Sequence, residues 1–98
     1  MDAHYSHTTW RVKHGQEDEF VRCCGEWAEW SHRQGLDAQA LLLRDLDSPE
    51  TFVSFGPWAS LGAIRSWRAL EGYQERVARL REIVDQFEPR TLQVTARR

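Results

Sequence analysis

The stretch from Phe55 to Trp67, "FGPWASLGAIRSW", sets two of the chain's five tryptophans nine residues apart. Indole and phenol rings offer a broad apolar face with one polar handle, which suits them to hold a flat aromatic ligand and to hydrogen-bond its oxygen. Trp67 falls with Leu61 and Ile64 on one side of a helical pattern, and Tyr73 follows six residues later. Trp58 closes a strand at "GPW", where packing at the edge of the fold is the simpler reading. Trp27 and Trp30 belong to a separate helical stripe that burial alone explains, and one of them is a candidate pocket wall.

Groups that move protons are scarcer. Histidine is the usual base near neutral pH, and the chain has four. His4 lies near the terminus, His14 in a turn and His32 near the end of a helix, which leaves His7 inside a strand as the best of a weak set. Its side chain belongs on the strand face opposite Thr8 and Trp10. Cys23 and Cys24 are adjacent, so on a helix their side chains diverge by about 100° and neither pair nor share a metal. Two buried thiols are expected instead. No Ser-His-Asp order, phosphate loop or metal-ligand spacing is present, and no metal site is expected.

At 98 residues one domain is expected, covering 1–98 with its core over about 5–96 and burying roughly 60 to 65% of the unfolded surface. The thirteen basic residues are scattered and the net charge is −2, so the basic stripe of a nucleic-acid binder is missing. The longest apolar run, "ALLL" at Ala40 to Leu43, is far short of a membrane span. The "MDAHYSH" start has no signal-peptide pattern, and a cytoplasmic location is expected. Twelve arginines against one lysine, with no asparagine, hint at a high-GC bacterial source.

The elements that position these residues follow from periodicity. His4–Val12 alternates as a strand, with Ser6, Thr8, Trp10 and Val12 on one face. "KHG" turns the chain and "QEDE" places acids in the first turn of a helix from about Gln16 to Gln34. Its stripe is Phe20, Cys23, Cys24, Trp27, Trp30 and Ser31, with Gly25 read as a site of close approach and Gly35 as the stop. Strands over about Ala38–Leu46 and Thr51–Phe55 are joined by a turn at "DSPE". A helix from Ala59 breaks at Gly72 and resumes with Tyr73, Val77, Leu80, Val84 and Phe87 until Pro89 ends it. "RTLQVTA" is the last strand.

The order β-α-β-β-α-β predicts an α+β, ferredoxin-like domain with helices on one face of a four-stranded antiparallel sheet. The middle strands are apolar on both faces, with Leu41 and Leu43 opposed to Ala40, Leu42 and Leu46, and Val53 and Phe55 opposed to Phe52. Helices cover one face only, so the other is expected to meet a second copy in a homodimer, sheet against sheet.

Three segments carry a resemblance: "WRVKHGQEDEF" entering the first helix, "FVSFGPW" at the third strand, and "AIRSW" followed six residues later by Tyr73. The chain resembles the antibiotic biosynthesis monooxygenase (ABM) domain family over about Tyr5 to Ala96. The resemblance implies a dimeric α/β barrel of ferredoxin-like protomers, each with a pocket between helices and sheet. Members include cofactor-independent monooxygenases that oxidise aromatic polyketides to quinones, haem-degrading enzymes, quinone-related monooxygenases and proteins without an established activity. The fold does not choose among them.

In haem-degrading relatives a histidine some ten residues past the tryptophan matching Trp67 ligates iron, and an asparagine stands on strand one. Here those regions hold Arg76 and Val77, and Thr8, none of them a usual haem ligand, so haem degradation is disfavoured and no cofactor is expected. In cofactor-independent relatives Trp67 matches the pocket tryptophan and Tyr73 is placed to hydrogen-bond substrate, which makes them the expected catalytic pair. Thr8, Cys24, Trp27 and Val77 are the expected ligand-binding residues. Asparagines hold substrate oxygens in those relatives, and with none in this chain Thr8, Tyr73 or a water must substitute.

Two functions compete. One is a cofactor-independent monooxygenase acting on a small hydrophobic aromatic substrate, polyketide- or quinol-like. The other is a non-catalytic dimer that binds a small ligand or assists a biosynthetic enzyme. Neither involves nucleic acid or a membrane.

Overall fold

Alternation along the first strand organises the sheet. A computed structural model describes residues 3–35 and 40–96. Its elements are β1 (His4–Val12), α1 (Glu17–Arg33), β2 (Leu41–Arg44), β3 (Thr51–Trp58), α2 (Leu61–Ala69), α3 (Glu71–Arg81) and β4 (Val84–Gln93). The four strands pair antiparallel in the order β2-β3-β1-β4, with β1 central, and the helices pack on one face in the ferredoxin-like arrangement. Trp10 and Val12 of β1 and Phe52 of β3 meet Phe20, Cys23 and Trp27 of α1 and Tyr73, Val77 and Leu80 of α3 in one core.

Local chemistry fixes the helix starts. Gly15 takes φ +87° in the turn after β1, a conformation that favours glycine, and Glu17, Asp18 and Glu19 sit at the positive end of α1. Ser60 caps α2 by accepting a hydrogen bond from the Ala63 backbone N–H at 3.1 Å.

The largest correction concerns residues 82–89. Helix α3 stops at Arg81, and Val84, Phe87 and Pro89 belong to β4. Register explains why they resembled a helix. Val12 pairs with Val84 but Arg11 with Gln86, so Asp85 is the extra residue of a bulge. The bulge brings Val84 and Phe87, three residues apart, to the same face, which imitates helical spacing. Pro89 is tolerated because β4 is an edge strand.

Other boundaries shift for equally local reasons. Strand β2 ends at Arg44 because the Asp45 side chain accepts from the N–H groups of Asp47 and Ser48, closing a turn. Ala38, the expected start of that strand, lies outside the described residues. Strand β3 continues past Phe55 to Trp58, where Gly56, Pro57 and Trp58 pair with Ser6, Tyr5 and His4 of β1. The break between α2 and α3 falls at Leu70, which is extended, and Gly72 lies inside α3 against Trp30, whose ring a Cβ at Gly72 would strike. Close approach therefore belongs to Gly72 and not to Gly25, where an added Cβ meets nothing within 4 Å among the described residues.

Among the described residues nothing covers the sheet's other face. Leu41, Leu43 and Leu92 are exposed on it, and Tyr5, His7, Val53 and Phe55 are half-buried. Among the described residues no helix is long and apolar enough to cross a membrane.

Candidate functional site

Side-chain size along the covered face decides where space remains. Toward one end of β1 and β3 the paired positions are Trp10 with Phe52, and toward the other they are Thr8 with Ser54 and Ser6 with Gly56. Small residues at paired positions leave a gap beneath α1. The result is a cavity of about 350 Å³, within the usual range for small-molecule sites.

Aromatic rings wall it. Trp67 is their meeting point, with ring centroids 4.7 Å from Tyr73, 4.9 Å from Trp58 and 5.8 Å from Trp27. Serines hold three indoles in place: Trp67 Nε1 donates to Ser31 Oγ at 3.2 Å, Trp58 Nε1 to Ser6 Oγ at 2.9 Å and Trp10 Nε1 to Ser54 Oγ at 3.0 Å. Each bond joins elements distant in sequence, so the rings are fixed in orientation as well as packed. The exposed Gly25 and Ala28 of α1 border the same space.

No charged residue and no histidine lines the cavity among the described residues. Burial pushes the Cys24 thiol up to about 12, so it is neutral near pH 7. Burial also raises the Tyr73 hydroxyl, against which the Arg68 guanidinium acts in the opposite direction. What the lining offers is flat apolar surface, hydroxyl groups and one phenol.

The expected site residues separate on inspection. Thr8, Cys24, Trp27, Trp67 and Tyr73 line the cavity together. Val77 does not: it points into the core with Leu80 and Phe20. Trp30 is also outside the cavity, under the Arg76 guanidinium at 4.3 Å from its ring centroid. Trp58, expected only to pack, is a cavity wall, because β3 runs three residues further than its pattern indicated and carries the indole onto the covered face. Cys23 is buried as expected, whereas Cys24 is half-buried at the cavity. His7 lies on the uncovered face, paired across the strands with Phe55 and Arg90.

Ser6, Ser31 and Ser54 were missed as site residues. Ser6 shares Thr8's strand face and was legible as a neighbour, but the serine-to-tryptophan bonds depend on register and could not be read from spacing.

The residues do not fit a haem. Among the described residues no imidazole lines the cavity, the Cys24 thiol is held protonated, and Arg76 and Val77 are outside the lining. One group of metal-ligating type exists among the described residues, His14, Glu17 and Glu50, with ligand atoms within 4.8 Å of one another. It is a surface cluster at the β1–α1 turn, where His14 Nδ1 lies 3.1 Å from Glu50 Oε1.

Comparison with known proteins places this fold. No curated protein matches the sequence. The structure superposes on SnoaB, a cofactor-independent oxygenase from Streptomyces nogalater, with a TM-score of 0.81, 21% identity, and coverage of 98% of this chain and 95% of that one. A protein from Shewanella oneidensis gives a TM-score of 0.83 at 14% identity, covering 95% and 91%. A conserved protein from Methanosarcina mazei gives 0.79 at 19%, covering 96% and 92%. At such identities the likeness is one of fold. The sequence itself matches the family described as antibiotic biosynthesis monooxygenase over residues 3–79, a span that includes Trp27, Trp58, Trp67 and Tyr73, and the chain belongs to that family.

Proposed function

We propose that the chain is a cofactor-independent monooxygenase acting on a small hydrophobic aromatic substrate, polyketide- or quinol-like. The observation that carries this reading is the cavity in which Trp67 meets Trp27, Trp58 and Tyr73. Family membership supports it, as does the fold shared with the Streptomyces nogalater oxygenase.

The chemistry asks for position more than for reactive groups. An activated ring methylene gives its proton to a water molecule, which returns it at the peroxide stage, and the enolate left behind passes an electron to dioxygen. The two radicals then join at carbon, and loss of water leaves a carbonyl, so that CH2 and O2 become C=O and H2O. The tryptophans would hold the ring flat, while the Thr8 and Tyr73 hydroxyls meet its oxygens and stabilise negative charge as it develops. A bound ligand would displace water from a lining that is otherwise apolar.

The test is oxygen uptake by the purified protein with anthrone-like and naphthol-like compounds. Trp67→Ala should lower uptake by about a hundredfold while the protein stays folded. Unchanged uptake in a folded Trp67→Ala variant would place the reaction elsewhere.

A second reading is a non-catalytic ligand-binding or accessory protein. The specific observation in its favour is that, among the described residues, no carboxylate or imidazole lines the cavity to take the substrate's proton. Ligand-dependent quenching of tryptophan fluorescence without oxygen uptake would select it.

We also propose that the uncovered face, with Leu41, Leu43, Val53 and Phe55, forms a homodimer sheet against sheet, closing a dimeric barrel. Sedimentation at micromolar concentration should report a dimer, and Leu43→Glu should yield monomer. A wild-type monomer would overturn the proposal. The two free thiols suit a reducing cytoplasm, and the arginine-rich, asparagine-free composition suits a high-GC bacterium.

A further inference from the structure

Where β1 ends at Val12, two turns bring together side chains of metal-ligating type. His14 stands in the turn after β1, Glu17 opens α1, and Glu50 immediately precedes β3. One donor atom from each lies within 4.8 Å of the other two. Spacing along the chain hides this group, because Glu50 is 36 residues from His14 and only strand register joins them.

The backbone presets the meeting. Gly15 takes φ +87° and the Gln16 N–H donates to the Lys13 carbonyl at 3.0 Å, so the turn sets His14 beside the first residue of α1. The Val12 N–H donates to the Glu50 carbonyl at 2.8 Å, which holds the second segment against the same turn. His14 Nδ1 lies 3.1 Å from Glu50 Oε1. Four donors around a zinc ion stand about 3.4 Å apart at bond lengths of about 2.1 Å, so this pair is already at ligand separation. Glu17 closes the remainder by turning its side chain. Two carboxylates held this near one another repel unless a cation lies between them. Lys13 is turned elsewhere, its Nζ donating to the Glu82 carbonyl at 3.1 Å. The dipole at the start of α1 opposes a cation, but with about half a unit of charge against two carboxylates it is outweighed.

We propose that His14, Glu17 and Glu50 bind a divalent transition-metal ion of zinc's class, which staples the β1–α1 turn to the start of β3. One imidazole with two carboxylates suits such an ion. Calcium and magnesium fit less well, since both take oxygen ligands and in larger number. Three protein donors leave a fourth position to water, and the His14 and Glu50 side chains are 90% and 38% exposed, so ions reach the site from solvent. The ion takes the place of the proton that His14 and Glu50 otherwise share. None of the three residues lines the cavity, so the role is structural and independent of the proposed reaction.

The probes are zinc and cobalt(II) added to the metal-free full chain with its thiols reduced. Calorimetric titration should give one zinc per chain in the micromolar range. Zinc at ten times its dissociation constant should raise the thermal unfolding midpoint by about 5 °C. His14→Ala and Glu50→Gln should each weaken binding by about tenfold or more and remove that rise, with Glu17→Gln close behind. His32→Ala, at the far end of α1, should change neither. Bound cobalt(II) should show the weak visible bands of nitrogen and oxygen ligation without the near-ultraviolet charge-transfer band of a thiolate, which separates this site from Cys23 and Cys24. A thiolate band, or zinc binding that survives His14→Ala and Glu50→Gln, overturns the proposal. So does a chain that binds no zinc, in which a proton on His14 alone bridges the carboxylates.

Discussion

One sheet face is filled at one end and hollow at the other, although the same strands and the same first helix build both. At the filled end Trp10 packs on Phe20, Phe52 and Phe87, and Val12 is fully buried. At the hollow end, two to four residues away along β1, the paired positions are Thr8 with Ser54 and Ser6 with Gly56. The difference lies in side-chain volume at register positions and in no change of backbone. A site of this kind is made by leaving atoms out where two strands agree, then tying the surrounding indoles to serines so that they do not collapse into the gap.

If the two ends differ in this way, removing atoms should be costly at one and nearly free at the other. Phe52→Ala should destabilise the protein by about 3–5 kcal/mol in urea unfolding, since it opens a cavity among large rings that cannot close in. Thr8→Ala, on the neighbouring strand but at the hollow end, should change stability by less than about 1 kcal/mol. Equal losses for the two would break the comparison.

Adding atoms should show the converse. Gly25 sits within α1 at the border of the cavity, and an added Cβ meets nothing within 4 Å among the described residues. Gly25→Leu should raise stability by up to about 1 kcal/mol, through helix propensity, while weakening 1-tetralone or naphthalene binding at least tenfold by filling the space. Gly72→Ala should do the opposite on stability, costing about 1–3 kcal/mol because its Cβ strikes the Trp30 ring. Destabilisation of similar size at Gly25 would mean that the cavity has no room to fill.

The legible part of this molecule is what depends on local period and on chain order. The resemblance to the family is what put Trp67 and Tyr73 on one site, since spacing alone favours core packing for Trp67, and both line the cavity; β1 was legible from its alternation. The misreadings share a cause in pairing. Val84 and Phe87 look helical until the bulge at Asp85 is known, and Trp58 looks peripheral until β3 is seen to continue along β1. Val77 was drawn toward the site by its distance from Trp67 along the chain, but α3 turns it to the core. Period puts Ser6 and Ser31 on the right faces, but their bonds to the indoles carry no periodic signal, since each acts across more than thirty residues of sequence, as does that of Ser54.

A further effect distinguishes the two ends by solvation. Burial holds the Cys24 thiol at about 12 from an ordinary value of 9.0, and it raises Cys23 and Tyr73 in the same direction. Below pH 9 the thiol is protonated in the folded and unfolded chains alike and contributes nothing to the pH dependence. Above pH 9 the unfolded chain releases the proton and the folded chain keeps it, so the unfolded state binds fewer protons and stability falls as pH rises toward 12. Between pH 9 and 10.5 Cys24 alone should remove about 2 kcal/mol, with an unfolding midpoint that drops accordingly. Cys24→Ala should flatten that slope, leaving the contributions of Cys23 and Tyr73. Parallel slopes for wild type and Cys24→Ala would mean that water reaches the thiol freely, and the hollow end would then be open surface where an apolar ligand gains little by entering.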